Sequence, residues 1–198
     1  MSLKQIRYLL WTFVALAAIG LAVLLVRQRG IPAPTEQAVA IGGPFNLTDS
    51  KGQPFSSVKL AGKPFAMFFG FTHCPDVCPT TLARLARLRR QLGRGEDSFA
   101  IVFVTVDPER DGPEEVGRYA ALFNTPVIGL TGTPAQIDQV KKQFGIFSAK
   151  VDQPGAGYSV DHTAATFLFG PDGKFIATIA PDENDHAGLA KLRRLVAG

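Results

Sequence analysis

The chain has 198 residues, of which 46% are hydrophobic, and a formal net charge of +4. This length accommodates one folded domain with an appendage, and the hydrophobic fraction is sufficient for a core. Setting aside Lys4 and Arg7 halves the charge, and no basic patch interleaved with aromatic residues occurs, so the composition gives no reason to expect nucleic acid as a partner.

The first feature in chain order is an uncharged apolar run of nineteen residues at 8–26, YLLWTFVALAAIGLAVLLV. Its length as a helix would be about 30 Å, the thickness of a bilayer core, which predicts a transmembrane anchor. A cleaved signal peptide is the alternative, but its apolar core is about 7 to 15 residues long and small residues follow it. Here Arg27 and Arg29 follow. The charges at residues 1–7 slightly favour a cytoplasmic N-terminus.

Residues 27–40 are rich in Pro and Ala and lack apolar periodicity, which predicts a linker before a folded domain at 41–198. In that domain, runs rich in Phe, Val and Ile alternate with helical patterns, which is typical of an α/β sheet. The leucines of the first helical pattern share one face, so Arg84 and Arg87 are expected on its solvated side. The predicted elements are strands at 64–71 and 99–106, helices at 80–92, 113–123 and 133–144, strands near 163–169 and 174–179, and a last helix at 185–196.

The two cysteines occur in one short motif, residues 73–79 (HCPDVCP), between a predicted strand and a predicted helix. A cysteine at a helix N-terminus is stabilised as a thiolate by the partial positive charge and free N–H groups there. Because residues i and i+4 of a helix face the same way, Cys74 and Cys78 can close a disulfide or bind one soft metal ion. A purely structural disulfide is the weaker alternative, since closing so short a loop stabilises a fold little.

A third ligand must come from elsewhere, because two thiolates leave a soft metal undercoordinated. Thiolate with imidazole suits copper, whereas zinc would prefer a fourth ligand. Of the three histidines, His73 adjoins Cys74, and neighbouring side chains usually point apart, while His186 is expected to be exposed on a helix. His162, in an edge loop at the entry to a predicted strand, is the preferred ligand. A loop histidine paired with Asp161 is the alternative.

Residues 107–111 (DPERD) follow the second long strand, at the end of a parallel sheet where functional sites gather. An ion-paired turn and a role in orienting a ligand or contacting a partner fit this sequence equally well. The chain has no P-loop or dinucleotide glycine pattern and no Gly-x-Ser-x-Gly elbow. Nucleotide binding and serine-hydrolase chemistry are therefore not expected.

Several motifs in the same order closely resemble the Sco/SenC family of copper proteins. They are residues 69–82 (FGFTHCPDVCPTTL), 106–111 (VDPERD), 129–134 (GLTGTP), 161–162 (DH) and 171–173 (PDG). The resemblance covers about residues 41–196. It implies a thioredoxin-like α/β fold, with a central mixed sheet flanked by helices, attached to a single N-terminal transmembrane helix.

The resemblance also implies that Cys74, Cys78 and His162 bind copper, as Cu(I) or Cu(II). Members of the family are linked to assembly of the dinuclear copper centre of cytochrome c oxidase. The implied location is the inner membrane of a bacterium, with the soluble domain in the periplasm. The expected partners are the copper-binding subunit of the oxidase and a copper donor or thiol reductant.

Two functions stay open at the level of the sequence. A metallochaperone would pass copper to the oxidase subunit by ligand exchange. A thiol-disulfide reductase would use Cys74 to attack and Cys78 to resolve, keeping the oxidase's copper-ligand cysteines reduced, with His162 incidental. A peroxidase is a weaker reading, because peroxiredoxin-like proteins usually need a dedicated peroxidatic cysteine.

Overall fold

The computed structural model describes residues 2–29, 41–155 and 157–197. The chain divides into two compact units, Met1–Val39 and Ala40–Gly198. Helix α1 (Leu3–Arg29) is the one element of the first unit among its described residues. Residues 8–26 are thus helical, but no helix in the described part of the chain is both long and apolar enough to cross a membrane. The predicted transmembrane span is therefore not confirmed, and most of the predicted linker, from residue 30 to residue 40, lies outside the described residues.

The second unit alternates strands and helices, as the sequence pattern predicts. In chain order its described elements are β1 (Asn46–Asp49), β2 (Pro54–Ser56), β3 (Phe65–Gly70), α2 (Val77–Gln91), β4 (Ala100–Thr105), α3 (Pro113–Ala121), β5 (Val127–Thr131), α4 (Pro134–Phe144), β6 (Ser148–Gln153), β7 (Gly157–His162), β8 (Thr166–Phe169), β9 (Phe175–Ile179) and α5 (Asp185–Ala197). Every predicted strand and helix of this unit has a counterpart within a few residues. Strands β1, β2 and β5 and the β6–β7 pair were not predicted.

Seven strands form one mixed sheet in the order β2-β1-β5-β4-β3-β8-β9. Strands β3, β4 and β5 run parallel, and the outer strands pair antiparallel to their neighbours. Every residue of β3 and β4 is buried, which explains why both read as continuous apolar runs rather than as alternating patterns. Helix α2 packs against α5, and α3 packs against β5. The predicted α/β architecture, a mixed sheet flanked by helices, is confirmed.

Strands β6 and β7 form a separate two-stranded antiparallel sheet, called here the hairpin. Ser148 lies opposite His162, so His162 is the last residue of β7. The prediction that it lies in a loop at the entry to the following strand is wrong, because it is the end of β7 and the following strand, β8, begins only at Thr166. The N–H of Thr163 donates to the carbonyl of Phe147 at 3.0 Å and closes this end of the hairpin.

Candidate metal centre

The cysteine pair lies where strand β3 leads into helix α2. Strand β3 ends at Gly70 and α2 begins at Val77, so Cys74 lies in the connecting loop and Cys78 in the first turn of the helix. The N–H of Cys74 donates to the carbonyl of Phe71 at 3.2 Å, which turns the loop back towards the strand. Cys74 is partly buried, Cys78 is fully buried, and both are free thiols. Cys74 is therefore more accessible to solvent than Cys78.

The buried sulfur of Cys78 lies directly against the backbone of β3. A Cβ atom placed on Gly70 would lie 2.7 Å from Cys78 Sγ and 2.9 and 3.1 Å from ring carbons of Phe68 and Phe103. All three neighbours are fully buried, so none has free space into which to move. Only glycine at position 70 leaves room for the sulfur.

We expect Gly70→Ala to displace the Cys78 sulfur and to weaken both folding and metal binding. Overpacking of this kind costs about 1–3 kcal/mol in a well-packed core. Urea unfolding would measure the stability loss, and a copper titration would measure the loss of affinity. Gly20→Ala is the control, because a Cβ placed on Gly20 in helix α1 would have no atom within 4 Å and alanine is favoured in a helix. Wild-type affinity in Gly70→Ala would show that the sulfur position is not critical.

Burial decides the protonation of Cys78. Desolvation raises the pKa of its thiol far above the ordinary value, and the neighbouring Cys74 and Asp111 add to the shift, while a backbone hydrogen bond with Phe71 opposes it. The expectation that the helix N-terminus stabilises a thiolate is therefore not met at this cysteine. A metal ion binding here must displace the thiol proton, so we expect metal uptake to release protons.

His162 approaches the cysteines with one particular ring nitrogen. Its Nδ1 lies 3.0 Å from the carbonyl oxygen of Thr163. A carbonyl only accepts, so Nδ1 carries the proton and Nε2 presents its lone pair. That Nε2 lies 3.5 Å from Cys78 Sγ. Burial lowers the pKa of His162, which favours the neutral imidazole that binds metals. The partner of Nδ1 is thus the Thr163 carbonyl and not the carboxylate of Asp161.

Three side chains from two distant parts of the chain meet at this point. The ligand atoms of Cys74, Cys78 and His162 all lie within 4.8 Å of one another, close enough to hold one metal ion. Two sulfurs and an imidazole nitrogen are a ligand set that suits copper. The other histidines do not join them: His73 is mostly exposed and lies 3.6 Å from a carboxylate oxygen of Asp111, and His186 is exposed on α5 as predicted.

Comparison with known proteins now places the chain in a family. The SCO1/SenC family model matches residues 33–197. The chain belongs to the SCO1/SenC family. This finding confirms the resemblance carried by the cysteine and aspartate motifs.

Relatives of this SCO1/SenC protein include chains with bound copper. The mitochondrial protein SCO2 of Saccharomyces cerevisiae is 40% identical over 163 residues, which are 80% of this chain and 54% of that protein, so the chain spans about half of that relative. The structure of Bradyrhizobium japonicum ScoI with copper bound has a TM-score of 0.71 at 39% identity, covering 79% of this chain and 99% of that one. These matches confirm the thioredoxin-like fold.

A third relative bears on thiol chemistry. BsSco is described as a member of the Sco family of cytochrome c oxidase assembly proteins with a disulfide switch. It matches with a TM-score of 0.62 at 25% identity and covers 79% of this chain and 94% of that one. Copper binding and disulfide chemistry therefore both occur among relatives of this SCO1/SenC protein.

Residues 107–111 were predicted to form either an ion-paired turn or a segment that orients a ligand or contacts a partner. In this SCO1/SenC protein both aspartates of the motif are buried. Asp111 accepts hydrogen bonds from the backbone and hydroxyl of Thr72, at 2.9 and 2.6 Å, and from the Thr105 hydroxyl at 2.6 Å. It thereby fixes the loop that leads to Cys74. Thr72 lies in the motif at 69–82, but its role could not be predicted, because its partner is a residue 39 positions away.

Proposed function

We propose that this protein binds one copper ion through Cys74 Sγ, Cys78 Sγ and His162 Nε2, and carries it as cargo to a copper-binding subunit of cytochrome c oxidase. The observation that supports the proposal is the approach of these three atoms to within 4.8 Å of one another. The hydrogen bond from Nδ1 to the Thr163 carbonyl adds to it, since it directs the lone pair of Nε2 towards the sulfurs.

The three ligands suit a metal ion that is passed on rather than one that is held permanently. Soft thiolates favour Cu(I), and three protein ligands leave space for an incoming thiolate or imidazole from an acceptor. Because Cys74 is partly exposed while Cys78 is fully buried, an acceptor reaches the ion from the side of Cys74. Ligand exchange then begins with the more accessible sulfur.

A thiol-disulfide reductase is the second candidate, supported by the free thiols and by the disulfide switch described for BsSco. The Cys74 thiolate would attack a target disulfide to form a mixed disulfide. The Cys78 thiol would then lose its proton as its sulfur attacks Cys74 Sγ, and the two target sulfurs, which leave as thiolates, would take up this proton and one from solvent. The target is released with both cysteines as thiols, and a Cys74–Cys78 disulfide remains. The backbone N–H of Cys78 lies 3.5 Å from Cys74 Sγ and would stabilise the attacking thiolate.

Copper stoichiometry and the optical spectrum of the reduced protein distinguish the two candidates. We expect one copper per chain, with a thiolate-to-Cu(II) charge-transfer band that disappears in Cys74→Ser and in Cys78→Ser. A reduced wild-type protein that holds no copper would favour the reductase. Cells that lack the protein would then be tested for the copper content of their oxidase, with and without each serine variant.

Membrane attachment through residues 8–26 and a periplasmic location form a separate part of the proposal. They are supported by the uncharged apolar run and by the close cysteine pair, which can cycle between thiols and disulfide in an oxidising compartment. Carbonate extraction of membranes from cells that produce the full chain tests the attachment. Recovery of the protein in the carbonate-soluble fraction would exclude a transmembrane anchor.

A further inference from the structure

The position of His162 depends on contacts that lie outside the main sheet. His162 ends β7, and β7 pairs only with β6 among the described strands. The main-sheet hydrogen bonds that hold the neighbourhood of Cys78 in place therefore do not hold His162. Besides the short connection to β8 at Thr166, side-chain contacts fix the hairpin relative to the cysteine loop.

Arg110 makes the most extensive of these contacts. Its Nη1 donates to the backbone carbonyl of Tyr158 in β7 at 2.9 Å, and its guanidinium carbon lies 3.7 Å from the centre of the Tyr158 ring. The same guanidinium lies 5.8 Å from the ring of Phe71, three residues before Cys74. A single side chain thus touches both the hairpin and the cysteine loop.

A buried carboxylate orients Arg110. The Asp107 side chain is fully buried, and one of its oxygens accepts from Arg110 Nε at 2.5 Å. Its other oxygen accepts from the Tyr158 hydroxyl at 2.9 Å. Because both partners bind the same carboxylate, the guanidinium and the Tyr158 ring are held in a fixed stack.

Strand β7 connects the fixed position of Tyr158 to His162. Residues 158, 160 and 162 share one face of β7, since successive side chains of a strand alternate. Val160 is buried on that face, and at its end the His162 ring packs edge-on against Phe71 at 5.9 Å between ring centroids. Arg110 therefore contacts the strand that carries His162 and also the phenylalanine on which the imidazole rests.

We infer that Arg110 is a positioning residue for His162. It locks the hairpin to the loop before Cys74 and so sets the distance between the imidazole and the two sulfurs. Asp111, the residue after Arg110, fixes the loop before Cys74 through Thr72. The inference rests on the proposed function, because its main consequence concerns copper held by His162.

Arg110→Lys tests the inference in the full chain. Lysine keeps a positive charge beside Asp107 but has no planar guanidinium to stack on Tyr158 while donating to its carbonyl. We expect copper affinity, measured by competition with a chelator, to fall about 10- to 100-fold, as for changes around other metal ligands. We also expect a weaker nitrogen hyperfine signal in the electron paramagnetic resonance spectrum of the Cu(II) form, with the alkylation rate of Cys74 unchanged.

Two further variants calibrate the result. Tyr158→Phe keeps the ring and the backbone carbonyl and loses only the hydroxyl contact with Asp107, so we expect a smaller loss than in Arg110→Lys. Arg118→Lys is the matched control: Arg118 forms ion pairs with Glu114 and Glu115 on the exposed side of α3. We expect no change in copper affinity there.

Hydrogen exchange of the copper-free protein gives a readout that does not need the cargo. We expect amides of β6 and β7 to exchange faster in Arg110→Lys than in wild type, while those of β3 and β4 do not change. Equal exchange of the hairpin, or wild-type copper affinity and spectrum in the variant, would overturn the inference and leave the proposed function intact. A wild-type protein that binds no copper would overturn both, and a variant with altered Cys74 reactivity would show a general structural role instead.

Discussion

Replacing His162 by alanine is expected to abolish tight copper binding while leaving thiol-disulfide exchange largely intact. The imidazole Nε2 is the one nitrogen among the three converging ligand atoms. Without it, two sulfurs remain, and a soft metal bound to them alone is undercoordinated. We expect the affinity to fall by more than about 100-fold, beyond the loss that changes around metal ligands usually cause.

The same variant separates the two candidate functions. Thiolate attack needs Cys74 and Cys78 but not an imidazole, so the midpoint potential of the pair should change little in His162→Ala. The control is His186→Ala, which removes an exposed histidine from α5. Chelator competition measures the affinity, and equilibration with glutathione buffers measures the potential. Undiminished copper affinity in His162→Ala would remove this residue from the site.

Phe69→Ala is expected to cause the largest loss of folding stability among single changes away from the site. Phe69 lies on the inner strand β3, is fully buried, and packs against Phe144 and Phe167 with ring centroids 5.7 and 6.3 Å away. Truncating a buried phenylalanine to alanine costs about 3–5 kcal/mol, because the ring's contacts are lost and a cavity remains. For a domain of this size the loss corresponds to a decrease of about 6–20 °C in Tm.

A phenylalanine on the surface provides the matched control. Phe147 is 63% exposed, and its hydrogen bonds with Thr163 are made by its backbone, so Phe147→Ala removes a ring without opening the core. We expect a change within about 0.5 kcal/mol. Thermal and urea unfolding of both variants measure the difference. Similar losses for the two would mean that residue 69 does not lie in a close-packed core.

The sequence predicts elements well where burial is continuous. Strands β3 and β4 consist of buried apolar residues throughout, so hydrophobicity alone reveals them. Strand β1 has four residues and β2 three, with a single buried residue in each, too few for a pattern. Strand β6 has no buried residue, which is why the hairpin escaped prediction. Its side chains instead contact the loop at 107–111, as in the ion pair between Lys150 and Glu109.

The contacts of charged side chains were also not predicted from the sequence pattern. The arginines of α2 were expected on the solvated side, but Arg84 donates to Asp185 at 2.9 Å and to the Ala180 carbonyl at 3.1 Å, joining α2 to the start of α5. A helical pattern identifies the polar face of α2. It cannot show that a second helix, α5, covers part of that face. The metal cluster was easier to predict, since the cysteine spacing fixes two members and only three histidines compete for the third place.

The ligand atoms of Cys78 and His162 lie 84 residues apart in sequence and 3.5 Å apart in space. An ion held between them would act as a removable cross-link, joining the hairpin to the helix that carries Cys78. A loaded chain would resist unfolding more than an empty one, by an amount that grows with the ion's affinity. Delivery of the ion would loosen the hairpin at the moment of transfer. The copper donor would therefore meet the more flexible, empty protein, and the acceptor the more rigid, loaded one.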